Sequence, residues 1–424
     1  MSIISQPTHN DNVDGVHMHL ENKKESRAFF WFIWVMYALV YMTKSCYSAA
    51  MASIVSEGVL TKSQTGFITA AFYVIYGPLQ ILGGIVADKY NPERMIKLSL
   101  VGGALANLVI FVNQNYYVML AAWCFNAVAQ FALWPSVFKI LTSQLVRSDR
   151  SMMTSIISLS ATIGLFLSYL VASFVSKWQN NFVISSVVLF VLAVLMHIIY
   201  SKIEPDMKPD KEVKQEEKTK HEIPTGRLFL VSGFFAMLIP AISRVMVDNY
   251  AKTLSPTMIM ESYNNVSPVL ANRLGLIVIV SGLAGIALAK LLYPRFVKNE
   301  LTLHVGALVL CIPFALILRC VGTASMALVI VSLCMISVLF NVMRLLTFNY
   351  NMRFVKFGRN GTAAGISNFG ESMGIMIQSY GFTLVAEKMG WVAVADMSTI
   401  FVVIAIAFNI IAMIMWRRFI KKVD

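Results

Sequence analysis

Two basic residues lie deep inside apolar segments that are long enough to cross a membrane. Lys44 comes 17 residues after Arg27 in the first such segment, and Arg244 comes 17 residues after Arg227 in the seventh. A charge within a bilayer is costly, so it usually faces a protein interior or an aqueous cavity. Two cations at matching positions therefore indicate one central cavity that accepts an anion.

The composition is typical of a polytopic membrane protein. Of the 424 residues, 57% are hydrophobic and only 13% are charged, which is more apolar surface than a soluble protein needs. A spanning helix takes about 20 mostly apolar residues, and backbone groups in lipid must be paired within the protein. We expect an all-α integral membrane fold with twelve transmembrane helices in two pseudo-symmetric bundles of six. The segments lie at roughly 28–54, 64–86, 95–112, 117–143, 152–176, 181–200, 227–252, 270–293, 300–320, 324–348, 362–386 and 391–416.

Lysine and arginine concentrate in alternate loops, which predicts the orientation. Loops on the other side carry only isolated cations such as Lys62, Lys177 and Arg273. By the positive-inside rule both termini are cytoplasmic and the protein crosses the plasma (inner) membrane many times. The net charge of +13 follows from this bias and requires no nucleic-acid partner. The clustered cations are Lys89, Arg94, Lys97, Arg147, Arg150, Arg295, Lys298, Arg353, Lys356, Arg359, Arg417, Arg418, Lys421 and Lys422.

The polar tail 1–27 has no apolar core or cleavage site of a signal peptide, and we expect it to be solvated. Its histidines at 9, 17 and 19 are a weak candidate for metal binding, and we predict no metal site and no cofactor. The five cysteines all fall in apolar segments without Cys-x-x-Cys spacing, so we interpret them as packing residues.

One charged linker divides the chain into two halves. Residues 201–226 carry both signs of charge without apolar periodicity, and they separate a bundle at 28–200 from a bundle at 227–416, with a short tail at 417–424. The halves also share a short motif, since Lys139-Ile-Leu-Thr matches Arg344-Leu-Leu-Thr. Two parallel six-helix repeats with a site between them are typical of carriers that alternate access by rocking.

The second helix carries a resemblance to the major facilitator superfamily. The motif Gly84-x-x-x-Asp88-Lys89 followed by Asn91-Pro92 resembles the organophosphate:phosphate antiporter branch, which includes glycerol-3-phosphate and hexose-phosphate transporters. Three further motifs agree, and the similarity runs from about residue 28 to 416. They are Leu133-Trp134-Pro135, Ser255-Pro256-Thr257 and Gly361-Thr-Ala-Ala-Gly365.

The resemblance implies which residues bind substrate. In the family, a basic residue on the first helix and another on the seventh bind the substrate phosphate, and these positions match Lys44 and Arg244. The spacing of Arg244 to Ser255 is eleven residues, where the family has about seven, which is one added helical turn. At two other positions the family has a lysine in the second helix and a histidine in the fifth, where this sequence has Gln80 and Ala161. The resemblance therefore implies an anion transporter, and the changed cluster weakens the case for the family's usual sugar or glycerol phosphates as its substrate.

Tyrosines are expected to line the cavity. Tyr37 and Tyr41 lie one turn apart on the face of the first helix that leads to Lys44, and Tyr73 and Tyr76 share a face of the second. A hydroxyl on an apolar ring orients phosphate or hydroxyl groups without adding charge. Family positions match Tyr37, Tyr41 and Tyr76. Aromatic packing between helices is the alternative interpretation of each.

Further charges suggest gating. Asp88 with Lys89 and Arg94 forms a candidate latch at the end of the second helix, where a carboxylate is unfavourable to the helix dipole. The alternative is a solvated turn that only sets the topology.

Two ion pairs are also predicted inside the membrane. Asp248 lies four residues after Arg244, close enough for an i, i+4 pair that positions or neutralises the guanidinium. Arg344 and Glu371 lie at similar depth on consecutive helices, which predicts a second pair. That pair either neutralises two charges or acts as a switch that responds to substrate or protons.

The sequence predicts a transporter and not an enzyme, since no nucleophile–base or metal spacing is present. The expected function is exchange of a small organic anion, such as a phosphorylated metabolite, for inorganic phosphate, by a protein that acts as a monomer in the bilayer. A carrier of another anion, such as a carboxylate or phosphonate, with or without proton coupling, stays open. A transporter-like sensor of sugar phosphates is the other alternative.

Overall fold

The computed structural model describes residues 18–209, 224–292, 295, 299–357 and 359–423. Within these ranges the chain forms helical segments in two bundles and one small two-stranded sheet. The segments are α1 (Lys23–Ser56), α2 (Lys62–Lys89), α3 (Pro92–Val112), α4 (Tyr116–Gln144), α5 (Arg147–Phe174), α6 (Asn180–Ile203), α7 (Thr225–Val231 and Phe234–Ser262), α8 (Pro268–Leu292), α9 (Glu300–Ile317), α10 (Met326–Met352), α11 (Asn360–Ile377, continued by Gln378–Phe382 and Thr383–Met389) and α12 (Trp391–Val423).

The predicted helical membrane architecture is confirmed, and the span count is partly tested. Among the described residues, eight helices are long and apolar enough to cross a membrane, or nine if the bent α7 is one span. The helices α2 and α5 have 28 residues each, so each is about 42 Å long and can also cross. A count of twelve spans by both length and hydropathy stays a prediction.

Polar caps begin the helices where the apolar segments meet short loops. Thr61 and Gln64 form a reciprocal capping box at the start of α2, and the Asn91 side chain accepts from the backbone N–H of Glu93 at the start of α3. Pro92 follows Asn91, where a missing N–H costs nothing. Because these connections are short, successive helices run antiparallel, and the bundle has two faces. We call the face where α1 begins and α12 ends the terminal face, and the opposite one the distal face.

Helix α7 is bent by 71° between its two pieces. Gly233 lies at the bend with a φ of 80°, a left-handed conformation that glycine adopts without strain. Further on, a π-helical turn at Tyr250–Leu254 precedes Pro256, which has no N–H to donate. The helix then continues to Ser262, so the spacing between Arg244 and Ser255 is accommodated within one helical rod.

Because α7 is bent, Lys44 and Arg244 do not lie at equivalent depths along their helices, although each follows an arginine by 17 residues in the sequence. Arg244 lies 10 residues beyond the start of the second piece of α7, about 15 Å along the helix. Lys44 lies 17 residues beyond Arg27 on an unbroken α1, about 26 Å along the helix. The two cations therefore lie at different distances from the terminal ends of their helices, although their sequence offsets agree.

The two halves pack internally and against each other. In the N-terminal half α1 packs on α5 and α3 on α6, and in the C-terminal half α8 packs on α10 and α7 on α12. Contacts between the halves run along α2 with α11 and α5 with α8. The cavity between the halves is thus bounded by helices of both repeats.

Hydrogen bonds and ion pairs join the two halves at the distal face. Lys62 Nζ lies 2.8 Å from Glu261 Oε2, and the backbone N–H of Ser63 donates to Glu387 at 2.8 Å. Glu387 therefore caps α2 from the opposite half of the molecule. Nearby, α2 and α11 approach so closely at Gly66 that a Cβ there would overlap the side chain of Thr383. The structure is closed at its distal face.

A two-stranded antiparallel sheet lies at the terminal face. Strand β1 (Met18–Leu20) pairs with β2 (Met207–Pro209), and Met18 lies opposite Pro209. Leu20 is fully buried, so the part of the tail that contains His19 packs against the protein instead of being solvated. Strands of three residues are too short for a periodic signal, which is why the sequence missed them. The tail residues 1–17, with two of its histidines, lie outside the described residues, as do residues 210–223 of the linker.

Candidate binding site between the two halves

Lys44 lies within a cage of aromatic rings. Its Nζ is 3.7 Å from the ring centroid of Tyr76, 5.0 Å from Phe72, 5.6 Å from Tyr73 and 5.8 Å from Tyr41. A cation over a ring face gains about 0.5–2 kcal/mol, so the cage stabilises the ammonium without neutralising it. In the part of the chain that the structure describes, no carboxylate pairs with Lys44. Its positive charge is thus available to an anion.

The predicted tyrosines form one connected aromatic lining. The ring of Tyr37 lies 5.2 Å from that of Tyr41 and 5.1 Å from that of Trp134 on α4. Tyr76 stacks on Phe72 at 5.2 Å. Tyr37 and Tyr76 are buried and Tyr41 is half-buried. The lining therefore runs from α4 along α1 to the ammonium of Lys44.

Arg244 pairs with Glu371 on α11, which corrects two predictions. The guanidinium Nη2 donates to Glu371 Oε1, so Glu371 does not pair with Arg344 and Arg244 does not pair with Asp248. The side chain of Arg244 is only 2% exposed, whereas that of Glu371 is 32% exposed. The carboxylate therefore neutralises a buried cation and leaves part of its own surface accessible. Helices α7 and α11 pack together, which brings this pair into contact.

Asp248 instead pairs with Lys252, one turn further along α7. Lys252 Nζ lies 2.7 Å from Asp248 Oδ2, and both side chains are largely buried. An acid that precedes a base by four residues is the more favourable order on a helix, whereas Arg244 precedes Asp248. Sequence reasoning missed Lys252, although its i, i+4 spacing to Asp248 was a usable signal.

Arg344 on α10 is exposed and has neither an ion pair nor a hydrogen bond among the described residues. It lies close enough to interact electrostatically with the buried Tyr37 of α1 and with Lys252 of α7. Since these two residues belong to opposite halves, Arg344 lies at the interface between the halves.

The predicted latch falls largely outside the described side chains. Asp88 and Lys89 are the last helical positions before Tyr90, but their side chains are not among those described. Arg94 lies exposed in the first turn of α3. The latch therefore stays a prediction.

A cavity between the halves lies on the terminal side of the aromatic cage. It is lined by Gln80 of α2, Trp134 and Pro135 of α4, and Gly365 and Asn368 of α11. A Cβ at Gly365 would meet nothing within 4 Å, so this face of α11 borders open space. Gln80 and Trp134 connect this cavity to the residues around Lys44, one helical turn away. Gly77 and Phe369 complete the lining.

The geometry described so far is that of a two-bundle carrier with charged groups between its halves, and a family comparison agrees. The sequence profile of the Major Facilitator Superfamily matches residues 33–379. The chain belongs to this superfamily. The superfamily match and the apolar helices together make this a multi-pass membrane transporter and not an enzyme, as the sequence predicted.

Within the superfamily, the sequence alignments with individual relatives cover only part of each protein. The membrane sensor protein UhpC of Escherichia coli is 30% identical over 118 residues, which cover 28% of this chain and 27% of that protein. A probable hexose phosphate transport protein of Chlamydia pneumoniae is 25% identical and covers 36% and 34%. The probable sulfoacetate transporter SauU of Cupriavidus necator is 26% identical and covers 41% and 40%. The chain thus aligns with less than half of each of these relatives.

Solved structures of the Major Facilitator Superfamily share the fold over almost the whole chain. A bacterial homologue of the human lysosomal transporter Spinster, in an inward-facing and occupied conformation, superimposes with a TM-score of 0.76. The match is 14% identical in sequence and covers 94% of this chain and 98% of that chain. At this identity the likeness shows the common fold alone.

Proposed function

We propose that this protein is a secondary transporter that moves a small organic anion across the plasma (inner) membrane, with both termini in the cytoplasm. The observation that carries the proposal is Lys44, a cation without a carboxylate partner among the described residues, held by aromatic rings of α1 and of α2, the helix that packs against α11 of the other half. An empty site of this kind is electrostatically unfavourable, and a bound anion relieves it.

The substrate class is a phosphorylated or sulfonated organic anion. Relatives named for hexose phosphate and sulfoacetate transport support a tetrahedral oxyanion, and the aromatic lining with its hydroxyl groups suits a small polar body attached to it. Gln80 and Trp134 border the cavity next to this lining. The protein needs no cofactor for this function.

The proposed mechanism is exchange by alternating access, with the monomer as the transport unit. The distal closure through Glu261 and Glu387 blocks the extracellular side in this conformation, while the cavity at Gly365 serves the cytoplasmic side. Binding of an anion at Lys44 offsets positive charge between the halves and lowers the cost of carrying the site through a low-dielectric interior. The protein therefore returns to its starting conformation more readily with a second anion, inorganic phosphate, bound at Lys44 than with the site empty and positively charged.

The test is counterflow of labelled phosphate in proteoliposomes. Vesicles loaded with unlabelled phosphate are expected to accumulate external label, and an excess of external sugar phosphate or sulfoacetate should inhibit this uptake. Lys44→Gln should abolish the exchange because it removes the unpaired charge. A wild-type protein that exchanges none of these anions would refute the proposal.

Similarity to UhpC supports a second candidate, a sensor of phosphorylated sugars. This relative is named as a membrane sensor protein, and its identity of 30% is the highest of the three relatives described above. A sensor would bind the anion in the same cavity without moving it. Binding in detergent, combined with no counterflow in vesicles, would favour the sensor over the transporter.

A further inference from the structure

We propose that Arg344 is the residue of the C-terminal half that contacts the anion, opposite Lys44, and that the anion carries two negative charges. This inference rests on the proposed function and extends it to the charge of the substrate. It assigns the role in the C-terminal half to α10, whereas the sequence placed it on α7 at Arg244.

The charge balance between the halves leaves two cations without partners. Four basic side chains lie in this region, and two of them are neutralised by the Arg244–Glu371 and Lys252–Asp248 ion pairs. Among the residues that the structure describes, Lys44 and Arg344 have no carboxylate partner. One unpaired positive charge therefore comes from each half, and a dianion matches the pair.

Accessibility separates Arg344 from Arg244. The Arg244 side chain is 2% exposed, and its positive charge is already paired with Glu371 through Nη2. Arg344 is exposed, and it interacts electrostatically with Tyr37 of the other half. An incoming anion can reach Arg344 without breaking an ion pair.

The aromatic lining connects the two unpaired cations. Tyr37 lies within electrostatic range of Arg344 and contacts the ring of Tyr41 at 5.2 Å, and the ring of Tyr41 in turn lies 5.8 Å from Lys44 Nζ. These residues form a continuous wall between the two charges. Their hydroxyl groups can donate hydrogen bonds to anion oxygens.

Helix direction brings the two charged groups towards the same depth. By helical rise, Lys44 lies about 26 Å from Arg27 and Arg344 about 14 Å from Arg353, and both reference arginines form ion pairs at the terminal face. Side chains on a helix lean towards its N-terminus. Because α1 and α10 run in opposite directions, Lys44 leans towards the terminal face and Arg344 leans away from it. The two charges therefore converge.

The two side chains have complementary chemistry. An arginine fork contacts two oxygens of a phosphate or sulfonate at once, and a lysine adds a compact point charge. A dianion between Lys44 and Arg344 would receive one charge from each half. Such a contact also joins the halves on the terminal side of the cage, opposite to the distal closure.

The experiment measures how well inorganic phosphate competes in the counterflow assay as the pH is changed. In the wild type, the apparent affinity is expected to follow the fraction of phosphate that is a dianion. Arg344→Gln should weaken the affinity at least tenfold at high pH and flatten its pH dependence. Arg344→Lys should keep the pH dependence with a smaller loss of affinity, since it preserves the charge.

The matched control is Arg319→Gln, which removes an exposed arginine paired with Asp396 away from the cavity. Its affinity and pH profile should equal those of the wild type. If Arg344→Gln exchanges phosphate with unchanged affinity and pH profile, the inference is wrong while the proposed function stands. Absence of exchange in the wild type would instead refute the proposed function. Should Arg344→Gln not fold, an Arg344→Lys variant without pH dependence overturns the inference.

Discussion

The Arg244–Glu371 ion pair should respond unequally to the loss of either partner. Glu371→Gln leaves an arginine that is 2% exposed without a counter-charge, and an uncompensated buried charge costs about 3–5 kcal/mol. Arg244→Gln leaves a carboxylate that is 32% exposed and can be hydrated, so its cost is nearer that of an unsatisfied polar group, about 1–3 kcal/mol. We expect Glu371→Gln to destabilise the protein more.

Removing both charges should recover most of the loss. Two neutral glutamines of similar shape can pair with each other, and replacement of a whole buried ion pair is often nearly neutral. The double variant Arg244→Gln/Glu371→Gln should therefore be more stable than Glu371→Gln alone by about 2 kcal/mol or more.

Thermal unfolding of the detergent-solubilised protein, followed by tryptophan fluorescence, measures these differences. In larger domains, a loss of 1 kcal/mol in unfolding free energy lowers the melting temperature by about 2 °C, so Glu371→Gln should lower the unfolding midpoint by about 6–10 °C. The control pair is Arg319 and Asp396, whose side chains are 54% and 44% exposed. Its single variants should change stability by less than about 1 kcal/mol. Equal losses for Arg244→Gln and Glu371→Gln, or a double variant with the summed loss, would refute the reasoning.

Three further predictions concern the distal closure and the aromatic cage. Gly66→Ala should prevent distal closure, because the added Cβ would overlap α11. It should increase labelling, by a membrane-impermeant thiol reagent, of a cysteine introduced on the inner side of the closure; Gly381→Ala, with open space around it, is the control. Tyr76→Leu should weaken phosphate binding about fivefold, because it removes a hydroxyl group beside Lys44 that can donate to an anion oxygen, worth about 1 kcal/mol, and competition in the counterflow assay measures this. The backbone N–H of Ser63 lowers the pKa of Glu387 below its ordinary value of 4.5. Distal closure should therefore be constant from neutral pH down to about 4.5 and weaken only in more acidic solution, as the same labelling measures; weakening near pH 6 would contradict this.

Hydropathy predicted the helices well because this signal depends on length and composition alone. The segments expected at 28–54 and 391–416 correspond to α1 and α12, each extended by several residues at the terminal face. The bend at Gly233 was not predicted, since an isolated glycine in an apolar segment has no sequence feature that separates a bend from a continuous helix.

Pairing between helices was predicted less well. Helical rise gives the depth of Arg344 and Glu371 but not the direction in which each side chain points around its helix. In the structure Glu371 faces α7 and contacts Arg244, while Arg344 is exposed and lies within electrostatic range of Tyr37 of the other half. Three of the four rings of the aromatic cage, those of Tyr41, Tyr73 and Tyr76, were named for their spacing. Phe72 required knowledge that α1 and α2 meet beside Lys44.

The cap that Glu387 places on α2 has an energetic consequence for opening. When the halves separate, the carboxylate and the backbone N–H of Ser63 both pass into water, which offers each a replacement hydrogen bond. The ion pair between Lys62 and Glu261 behaves in the same way, because both side chains are partly exposed. The polar bonds of the distal face are therefore ones that solvent can take over one by one, so they add no single large barrier to opening. The close packing of α2 against α11 at Gly66 is the part of the closure that water cannot replace.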